Sequence, residues 1–231
     1  MSILIVAATI AEISDFCKRL NFCADINSHH KQYSHNNLTI DVLVTGVGMT
    51  ATAYYLGKTL ADNKYSMVIN AGIAGAFNTE LHKIGEVLNV KKETFADLGA
   101  EDDTSFLSIF DLKLQDSNEF PFNNGYLNNK NSFTEIEYIQ RLKNVSGITV
   151  NTCHGNETSI QKVKEKYAAD VESMEGAAVF YVCLSENIPF LQIRAISNKI
   201  ERRNRDNWNI PLAIKNLNET LFQIIEQIRK K

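Results

Sequence analysis

The sequence contains little that interrupts or cross-links a polypeptide chain. Only 3 of its 231 residues are proline, and no segment rich in proline, glycine or serine divides the chain. Its four cysteines form no C-x-x-C pair and no spacing typical of a zinc site, so we expect reduced thiols and no bound metal. The absence of a linker predicts a single domain over residues 1–231.

An excess of one charge and long apolar runs are also absent. The chain has 24 basic and 27 acidic residues, a net charge of −3, which provides no electrostatic footprint for nucleic acid or an anionic membrane. No apolar run reaches the roughly 20 residues that span a bilayer. The first residues, Met-Ser-Ile-Leu-Ile-Val-Ala-Ala, lack the basic region of a secretory signal. We therefore expect a cytoplasmic protein that binds neither nucleic acid nor a membrane.

The composition that is present, 44% hydrophobic and 22% charged, is typical of a globular chain. Short apolar runs rich in β-branched residues alternate with stretches of helical period, which predicts an α/β sandwich of three layers around a central sheet that is mostly parallel or mixed. The predicted strands are Ile3–Ala7, Leu38–Val44, Met67–Asn70, Ile84–Val90, Ile148–Val150 and Phe190–Ile196. The predicted helices are Ala11–Leu20, Thr50–Asp62, Ser159–Tyr167, Ser173–Glu186 and Ile210–Ile228.

The segment Asp97–Phe133 is the least regular part of the sequence. It contains Asn123-Asn124-Gly125 and Asn128-Asn129, which are typical of turns. A long irregular segment in a compact enzyme is either a wall of the substrate site or a surface excursion, and the sequence leaves both open.

A glycine-rich turn, Thr-Gly-Val-Gly at residues 45–48, follows an apolar strand and precedes a helix. Gly46 and Gly48 would let backbone N–H groups approach a polar ligand. The third glycine of a dinucleotide fingerprint is Ala51 here, and no Gly-Lys-Ser/Thr follows, so neither a dinucleotide nor a P-loop site is predicted. A plain turn between strand and helix is the alternative.

A second small-residue segment, Asn70–Ala76, follows the next strand and is predicted to form a second turn. Two such turns at neighbouring strand ends indicate a crevice in which a ligand meets the backbone around Ala74 and Gly75. Close packing of a helix on the sheet would also require small residues.

The most informative segment contains Glu175 at the start of a predicted apolar helix. The small residues 176–178 would let the helix pack closely and bury this carboxylate. A buried carboxylate accepts hydrogen bonds only, which suits a vicinal diol. Stabilisation of the helix dipole by an acidic first turn is the simpler alternative.

Two other places carry candidate site residues. Ser197 and Asn198 follow the last predicted strand, where side chains often contact a ligand, although Asn198 could also cap the next turn. Glu12 lies about one helical turn after the first strand and faces either the same crevice or solvent.

The order and spacing of five segments resembles the nucleoside phosphorylase and nucleosidase superfamily over essentially the whole chain. The segments are Glu12, Thr-Gly-Val-Gly at 45–48, Asn-Ala-Gly-Ile-Ala-Gly at 70–75, Met-Glu-Gly-Ala-Ala at 174–178 and Arg-Ala-Ile-Ser-Asn at 194–198. Residues 96–101 and 197–208 are similar to the futalosine hydrolase branch in particular. The resemblance implies one α/β domain, a homodimer or larger homo-oligomer, a small nucleoside substrate and no cofactor.

The resemblance also implies roles for individual residues. Glu12 matches the residue that activates the attacking water, and Glu175 matches the carboxylate that binds the ribose hydroxyls. Met174 matches the residue that packs against the sugar. The backbone near the water and base corresponds to Ala74 and Gly75. The resemblance also implies substrate contacts at Gly46, Gly48 and Ser197. Asn198 matches the side chain that contacts the purine.

Two departures from the pattern bear on the substrate. The related methylthioadenosine/S-adenosylhomocysteine nucleosidases have Asp where this chain has Asn198. An amide NH2 can donate to O6 of hypoxanthine while the amide carbonyl accepts the N7 proton, which predicts a 6-oxopurine nucleoside, futalosine. Ile73 replaces a small hydroxyl residue, so any contact there has to come from the backbone.

Several alternatives stay open at this point. An adenine-specific nucleosidase and a nucleoside-binding protein without turnover both fit the fold. A phosphorylase would need an anion site, for which Arg194 or the cluster Arg202, Arg203 and Arg205 is available. We interpret one of these arginines or Lys199 as the partner of the carboxylate on futalosine's benzoate arm. The simpler alternative is that these residues form a solvated basic face.

Overall fold

The computed structural model describes residues 1–229 and contains one large sheet with helices on both faces. The strands are β1 Ser2–Ala7, β2 Asn21–Asp25, β3 His30–His35, β4 Leu38–Val44, β5 Met67–Ala76, β6 Val87–Glu93, β7 Gly99–Asp102, β8 Ser105–Ser108, β9 Leu127–Asn128, β10 Asn144–Thr149, β11 Val171–Ser173 and β12 Phe190–Lys199. The helices are α1 Ile10–Cys17, α2 Met49–Asp62, α3 Glu137–Gln140, α4 Glu157–Tyr167, α5 Gly176–Ser185 and α6 Ile210–Arg229, with a 3-10 turn at Arg205–Asn207.

The large sheet is mixed, as the sequence predicts. Its strand order is β11-β10-β6-β12-β5-β1-β4-β3-β2, and β9 adds to β6. Strands β4, β1, β5 and β12 run parallel, whereas β6 is antiparallel to β12 and β3 is antiparallel to β4. The apolar run of β1 is buried on both faces, as a parallel strand covered by helices on each side must be.

Five strands of this sheet close into a ring. The short strand β11 pairs in parallel with β10 and in antiparallel with β5, where Glu172 lies opposite Gly75. Since β10, β6, β12 and β5 already follow one another in the sheet, β11 joins its two ends. The ring holds the chain just before α5 against the carboxyl ends of β5 and β12.

Two helical layers cover the sheet, which confirms the predicted three-layer sandwich. Helices α1, α3 and α6 pack on one face and α2 and α5 on the other. The buried apolar residues of α6 recur with helical spacing, and burying each large aliphatic side chain contributes about 2 kcal/mol. They are Ala213, Leu217, Leu221, Ile224, Ile225 and Ile228.

The predicted turn at Asn70–Ala76 is wrong, because this segment continues β5 to Ala76. The predicted strand Phe190–Ile196 is likewise too short, since β12 pairs with β5 until Lys199 lies opposite Ala76. The small residues of the segment serve a different purpose from a turn. They leave space beside the strand for side chains that come from β12.

The predicted helix start at Ser173 is also wrong. Ser173 belongs to β11 and pairs with Thr149 of β10, so α5 begins at Gly176 and Glu175 occupies its N-cap position. Two other predicted strands are displaced: β6 begins three residues after Ile84, and β10 begins at Asn144 and ends before Val150. The predicted helix Ala11–Leu20 ends at Cys17, and the polar hairpin of β2 and β3 was not predicted.

The segment predicted to be irregular, Asp97–Phe133, consists mostly of turns. It includes the two-stranded sheet of β7 and β8 and the short strand β9. Asn124 and Gly125 have positive φ angles of 49° and 75°, which confirms the turn predicted at Asn-Asn-Gly. Over residues 1–229, no helix combines the length and the apolar character needed to cross a bilayer.

Candidate active site

The first carboxylate of the site, Glu12, lies in the opening turn of α1 and is only 8% exposed. Its Oε2 atom accepts hydrogen bonds from the backbone N–H of Thr9 at 2.9 Å and from the Thr9 hydroxyl at 3.0 Å. Its Oε1 atom accepts from the N–H of Ile73 at 3.1 Å. Glu12 therefore faces β5 rather than solvent. Its contact at Ile73 comes from the backbone N–H, since this position has no hydroxyl side chain.

The second carboxylate, Glu175, lies at the start of α5 and is 7% exposed. Its Oε1 atom accepts a hydrogen bond from the backbone N–H of Gly48 at 3.1 Å. Gly46 and Gly48 have φ angles of +87° and +96°, a conformation that other residues rarely adopt. The glycine turn after β4 thus presents its backbone to Glu175.

Arg194 lies beside both carboxylates and is 1% exposed. Its Nη2 atom is 3.7 Å from Oε2 of Glu175. Gly72 gives the guanidinium its space: a Cβ atom there would lie 2.0 Å from Nη1 of Arg194 and 3.0 Å from Oε1 of Glu12. Within the described chain, Nε and Nη2 of Arg194 have no hydrogen-bond partner. Unsatisfied buried donors between two carboxylates are suited to a bound polar ligand or water.

Burial and charge act together on the site. Burial raises the pKa of Glu175 and the Glu12 carboxylate raises it further, while Arg194 and the Gly48 N–H hold it down. The buried Glu175 carboxylate therefore has one guanidinium beside it and a second carboxylate, Glu12, nearby. Such a site favours a reacting group that develops positive charge.

The ends of β5 and β12 carry a second group of polar atoms. A bulge in β12 between Ile196 and Asn198 brings Asn198 opposite Gly75. The Oγ atom of Ser197 lies 3.2 Å from the carbonyl oxygen of Ala74 and 2.8 Å from Oδ1 of Asn198. A Cβ atom on Gly75 would lie 3.3 Å from Nδ2 of Asn198. The half-buried Asn198 amide is thus held against β5.

The structure brings the candidate residues together in two adjoining groups. Glu12, Glu175 and the turn containing Gly46 and Gly48 lie around Arg194, and Met174 is half-buried immediately before Glu175. The second group lies farther along the same two strands. Its members are Ala74, Gly75, Ser197 and Asn198.

The position of Arg194 beside the carboxylates was not predicted from the sequence, because this residue was interpreted only as a possible anion site. A signal was available: Arg194 is the one charged residue in the predicted strand Phe190–Ile196, whose other residues are mostly apolar. An arginine in such a place needs carboxylate partners nearby, since an unpaired buried charge is strongly destabilising.

Glu172 was given no role in the sequence analysis, and the structure gives it a contact. Its Oε1 atom accepts from the backbone N–H of His154 at 3.0 Å, and Oε2 contacts Nδ1 of the same residue. This pair fixes the loop after β10 beside the end of β5. The cluster Arg202, Arg203 and Arg205 is exposed, and the Arg203 guanidinium stacks 4.9 Å from the centre of the Trp208 ring.

Comparisons with known proteins agree with this geometry. The family model described as "Phosphorylase superfamily" matches residues 2–228. The chain is 29% identical over 228 residues to a futalosine hydrolase of Acidothermus cellulolyticus, covering 93% of this chain and 86% of the relative. It is 27% identical over 205 residues to a 5'-methylthioadenosine/S-adenosylhomocysteine nucleosidase of Buchnera aphidicola, covering 84% and 77%.

Solved structures have the same fold. The futalosine hydrolase of Helicobacter pylori strain 26695 superposes with a TM-score of 0.81 at 15% identity, over 98% of this chain and 97% of that one. The curated relatives of both kinds are nucleosidases, and they match this chain at similar identity.

Proposed function

The chain belongs to the phosphorylase superfamily, and we propose that it is an N-glycosyl hydrolase that cleaves futalosine to hypoxanthine and dehypoxanthine futalosine. This reaction is a step of menaquinone synthesis by the futalosine route. The observation that carries the proposal is the placement of two buried carboxylates, Glu12 and Glu175, around the single guanidinium of Arg194.

The Glu175 carboxylate suits the sugar. Cleavage of an N-glycosidic bond passes through a ribosyl group with oxocarbenium character. Glu175 accepts hydrogen bonds from the ribose hydroxyls through its free lone pairs, and its negative charge stabilises the positive charge that develops on the sugar.

The Glu12 carboxylate suits the water. It is fixed by hydrogen bonds from Thr9 and Ile73, and the Nη1 end of the Arg194 guanidinium lies on the same side of β5, at Gly72. A water held between them is oriented toward the anomeric carbon. Glu12 removes its proton as the new C–O bond forms.

Asn198 suits a 6-oxopurine. Its amide offers both a donor and an acceptor, which match O6 of hypoxanthine and the N7 proton of the departing base. The second class of relatives would suggest an adenine-specific nucleosidase. Its substrate has an NH2 group at position 6 in place of O6. Asn198 therefore favours futalosine over methylthioadenosine.

A phosphorylase is disfavoured by charge. Arg194 is buried between Glu12 and Glu175, so a phosphate dianion beside it would meet two carboxylates. The remaining arginines at 202, 203 and 205 are exposed. We propose that one of them, or Lys199, pairs instead with the carboxylate on the benzoate arm of futalosine. Charge reversal at that residue would weaken futalosine binding and leave inosine binding unchanged.

The test is purine release from futalosine, inosine and methylthioadenosine, each with and without phosphate. We expect free hypoxanthine from futalosine, at a rate independent of phosphate. Adenine release from methylthioadenosine would contradict the assignment of Asn198. Release from inosine only when phosphate is added would identify a phosphorylase.

The variant Glu12→Gln separates an enzyme from a binding protein. Because glutamine is not a base, we expect turnover to fall by 100-fold or more, on the order of the general-base contribution, while nucleoside affinity stays within about threefold. Hypoxanthine release and isothermal titration on the same preparation provide the two readouts. Unchanged turnover in Glu12→Gln would remove this residue from the mechanism.

A further inference from the structure

A third carboxylate, Glu93, lies behind the proposed site and is 1% exposed. It is the last residue of β6 and has no part in the mechanism proposed above. Its Oε1 atom accepts a hydrogen bond from Nε2 of Gln192 at 2.7 Å, and its Oε2 atom accepts from the hydroxyl of Thr149 at 3.0 Å. The Gln192 side chain accepts in turn from Nδ2 of Asn70 at 2.7 Å.

Two glycines leave space for this carboxylate. A Cβ atom on Gly176 would lie 2.0 Å from Oε1 of Glu93, and one on Gly147 would lie 2.6 Å from the same atom. Gly176 directly follows Glu175 and is the first residue of α5. The Glu93 carboxylate therefore rests against the backbone next to the residue proposed to hold the ribose.

Thr149 joins Glu93 to the same helix. The backbone N–H of Ala177 donates to Oγ1 of Thr149 at 2.7 Å, which leaves the hydroxyl hydrogen of Thr149 to be donated to Glu93. This chain of two hydrogen bonds satisfies one of the N–H groups that a helix start leaves without an internal partner. The position of the first turn of α5 thus depends on an acceptor at Glu93.

Charge links the two glutamates as well. Burial raises the pKa of Glu93 to about 7, although Gln192, Arg194, Thr149 and the backbone of Thr94 each lower it. The Arg194 guanidinium also lowers the pKa of Glu175. The described groups that face Glu93 come from three elements. They are Gln192 and Arg194 on β12, Gly147 and Thr149 on β10, and Gly176 on α5. Of these groups, Arg194 alone is charged.

We propose that Glu93 is a positioning residue for Glu175, which it holds in place through Thr149 and the first turn of α5. The inference rests on the proposed function, because Glu175 has its role there. It predicts that losing the charge or the hydroxyl link changes how the protein handles the ribose hydroxyls and leaves the handling of the base unchanged.

The first test compares hypoxanthine release by the wild type, Glu93→Gln, Thr149→Val and the control Thr149→Ser, which keeps the hydroxyl. We expect kcat to fall on the order of 10-fold to 100-fold in the first two variants, as for a displaced catalytic group, and to stay near wild type in the control. A double variant with Glu175→Gln should be no slower than Glu175→Gln by itself.

The second test measures binding alone, so that it also decides the matter for a protein without turnover. Inosine and 2′,3′-dideoxyinosine differ only in the ribose hydroxyls, and we expect the wild type to prefer inosine. That preference should shrink toward one in Glu93→Gln and Thr149→Val and persist in Thr149→Ser. Melting temperatures recorded on each variant identify any that fail to fold.

Each outcome decides something. Wild-type preference for inosine that is unchanged in Glu93→Gln and Thr149→Val overturns the role of Glu93, whether or not the protein turns over. A wild type that binds inosine but releases no purine from any nucleoside overturns the proposed function, and the binding ratio still tests Glu93. A wild type that binds neither nucleoside and releases no hypoxanthine from futalosine overturns both.

Discussion

At the scale of single residues, the charge of Arg194 organises the site. A buried arginine is stable only with partners, and here two carboxylates from separate parts of the chain converge on it. Glu175 was predicted from the sequence because it begins an apolar helix, whereas Glu12 received its role only through the resemblance. The position of Arg194 beside Glu175 was not predicted, since it depends on which strands become neighbours.

Asn198 is the residue at which base specificity can be changed. We predict that Asn198→Asp raises adenine release from methylthioadenosine by 10-fold or more relative to hypoxanthine release from futalosine. A carboxylate cannot donate to O6 when ionised, whereas it can accept from the NH2 group at position 6. Competing both nucleosides in one reaction measures the ratio directly. An unchanged ratio would show that this side chain does not contact the base.

Gly72 is required by the guanidinium that lies against it. A methyl group there would lie 2.0 Å from Nη1 of Arg194, so we predict that Gly72→Ala displaces Arg194 and lowers kcat on the order of 100-fold. Gly57, inside α2 with open space around it, provides the matched control. Gly57→Ala should keep full activity and gain up to about 1 kcal/mol of stability from helix propensity. Full activity in Gly72→Ala would contradict the assignment of Arg194.

At the scale of elements, the alternation of strands and helices was predictable, and the boundaries near the site were not. Gly72 and Gly75 were interpreted as turn residues, yet they lie within β5, where Gly72 makes space for Arg194 and Gly75 makes space for Ile200. Ser173 was interpreted as helical, yet it pairs with β10. In each case a long-range strand pairing prevailed over the local preference of small residues. These two departures from prediction lie at the site.

The β3–β4 pair is held from inside by a buried carboxylate, Asp41. Its oxygens receive hydrogen bonds from His30 at 2.9 Å, Tyr65 at 2.6 Å and Gln32 at 3.1 Å. Burial by itself would raise the pKa of Asp41, but these three hydrogen bonds lower it below its ordinary value. The ionised form is thus stabilised by folding. Its contribution is present above the ordinary carboxyl pKa of about 3.9 and is lost as the pH falls through the lower folded value.

We predict that Asp41→Asn lowers the free energy of unfolding at pH 7 by about 3 kcal/mol, because removing one partner leaves the others buried without an acceptor. The exposed pair of Asp25 and Lys31, 3.2 Å apart on β2 and β3, provides the control. Asp25→Asn should change stability by less than about 1 kcal/mol. Urea titrations of the wild type and both variants at pH 7 and pH 4 measure the free energies of unfolding. Equal losses of stability in Asp41→Asn and Asp25→Asn would contradict the role of Asp41.

At the scale of the whole molecule, the resemblance to oligomeric nucleosidases predicts a homodimer or larger assembly. Exposed aromatic side chains on the layer of α2 and α5 agree with this: Tyr54 is 60% exposed and Tyr181 is 40% exposed. Light scattering after size exclusion should give at least twice the mass of one chain at micromolar concentration. A mass of one chain at that concentration would contradict the prediction.

The insertion of β12 between β5 and β6 also determines when the protein can first work as it is made. A ribosome adds about 5–20 residues per second, so β5 leaves it several seconds before the strand that must lie beside it. Until β12 is synthesised, the ring of strands stays open and β5 has an unpaired apolar edge. Glu12 is synthesised before β5, whereas Arg194 belongs to β12. A nascent or truncated chain that ends before β12 therefore has no partial activity, and purine release reports only molecules whose synthesis has passed this strand.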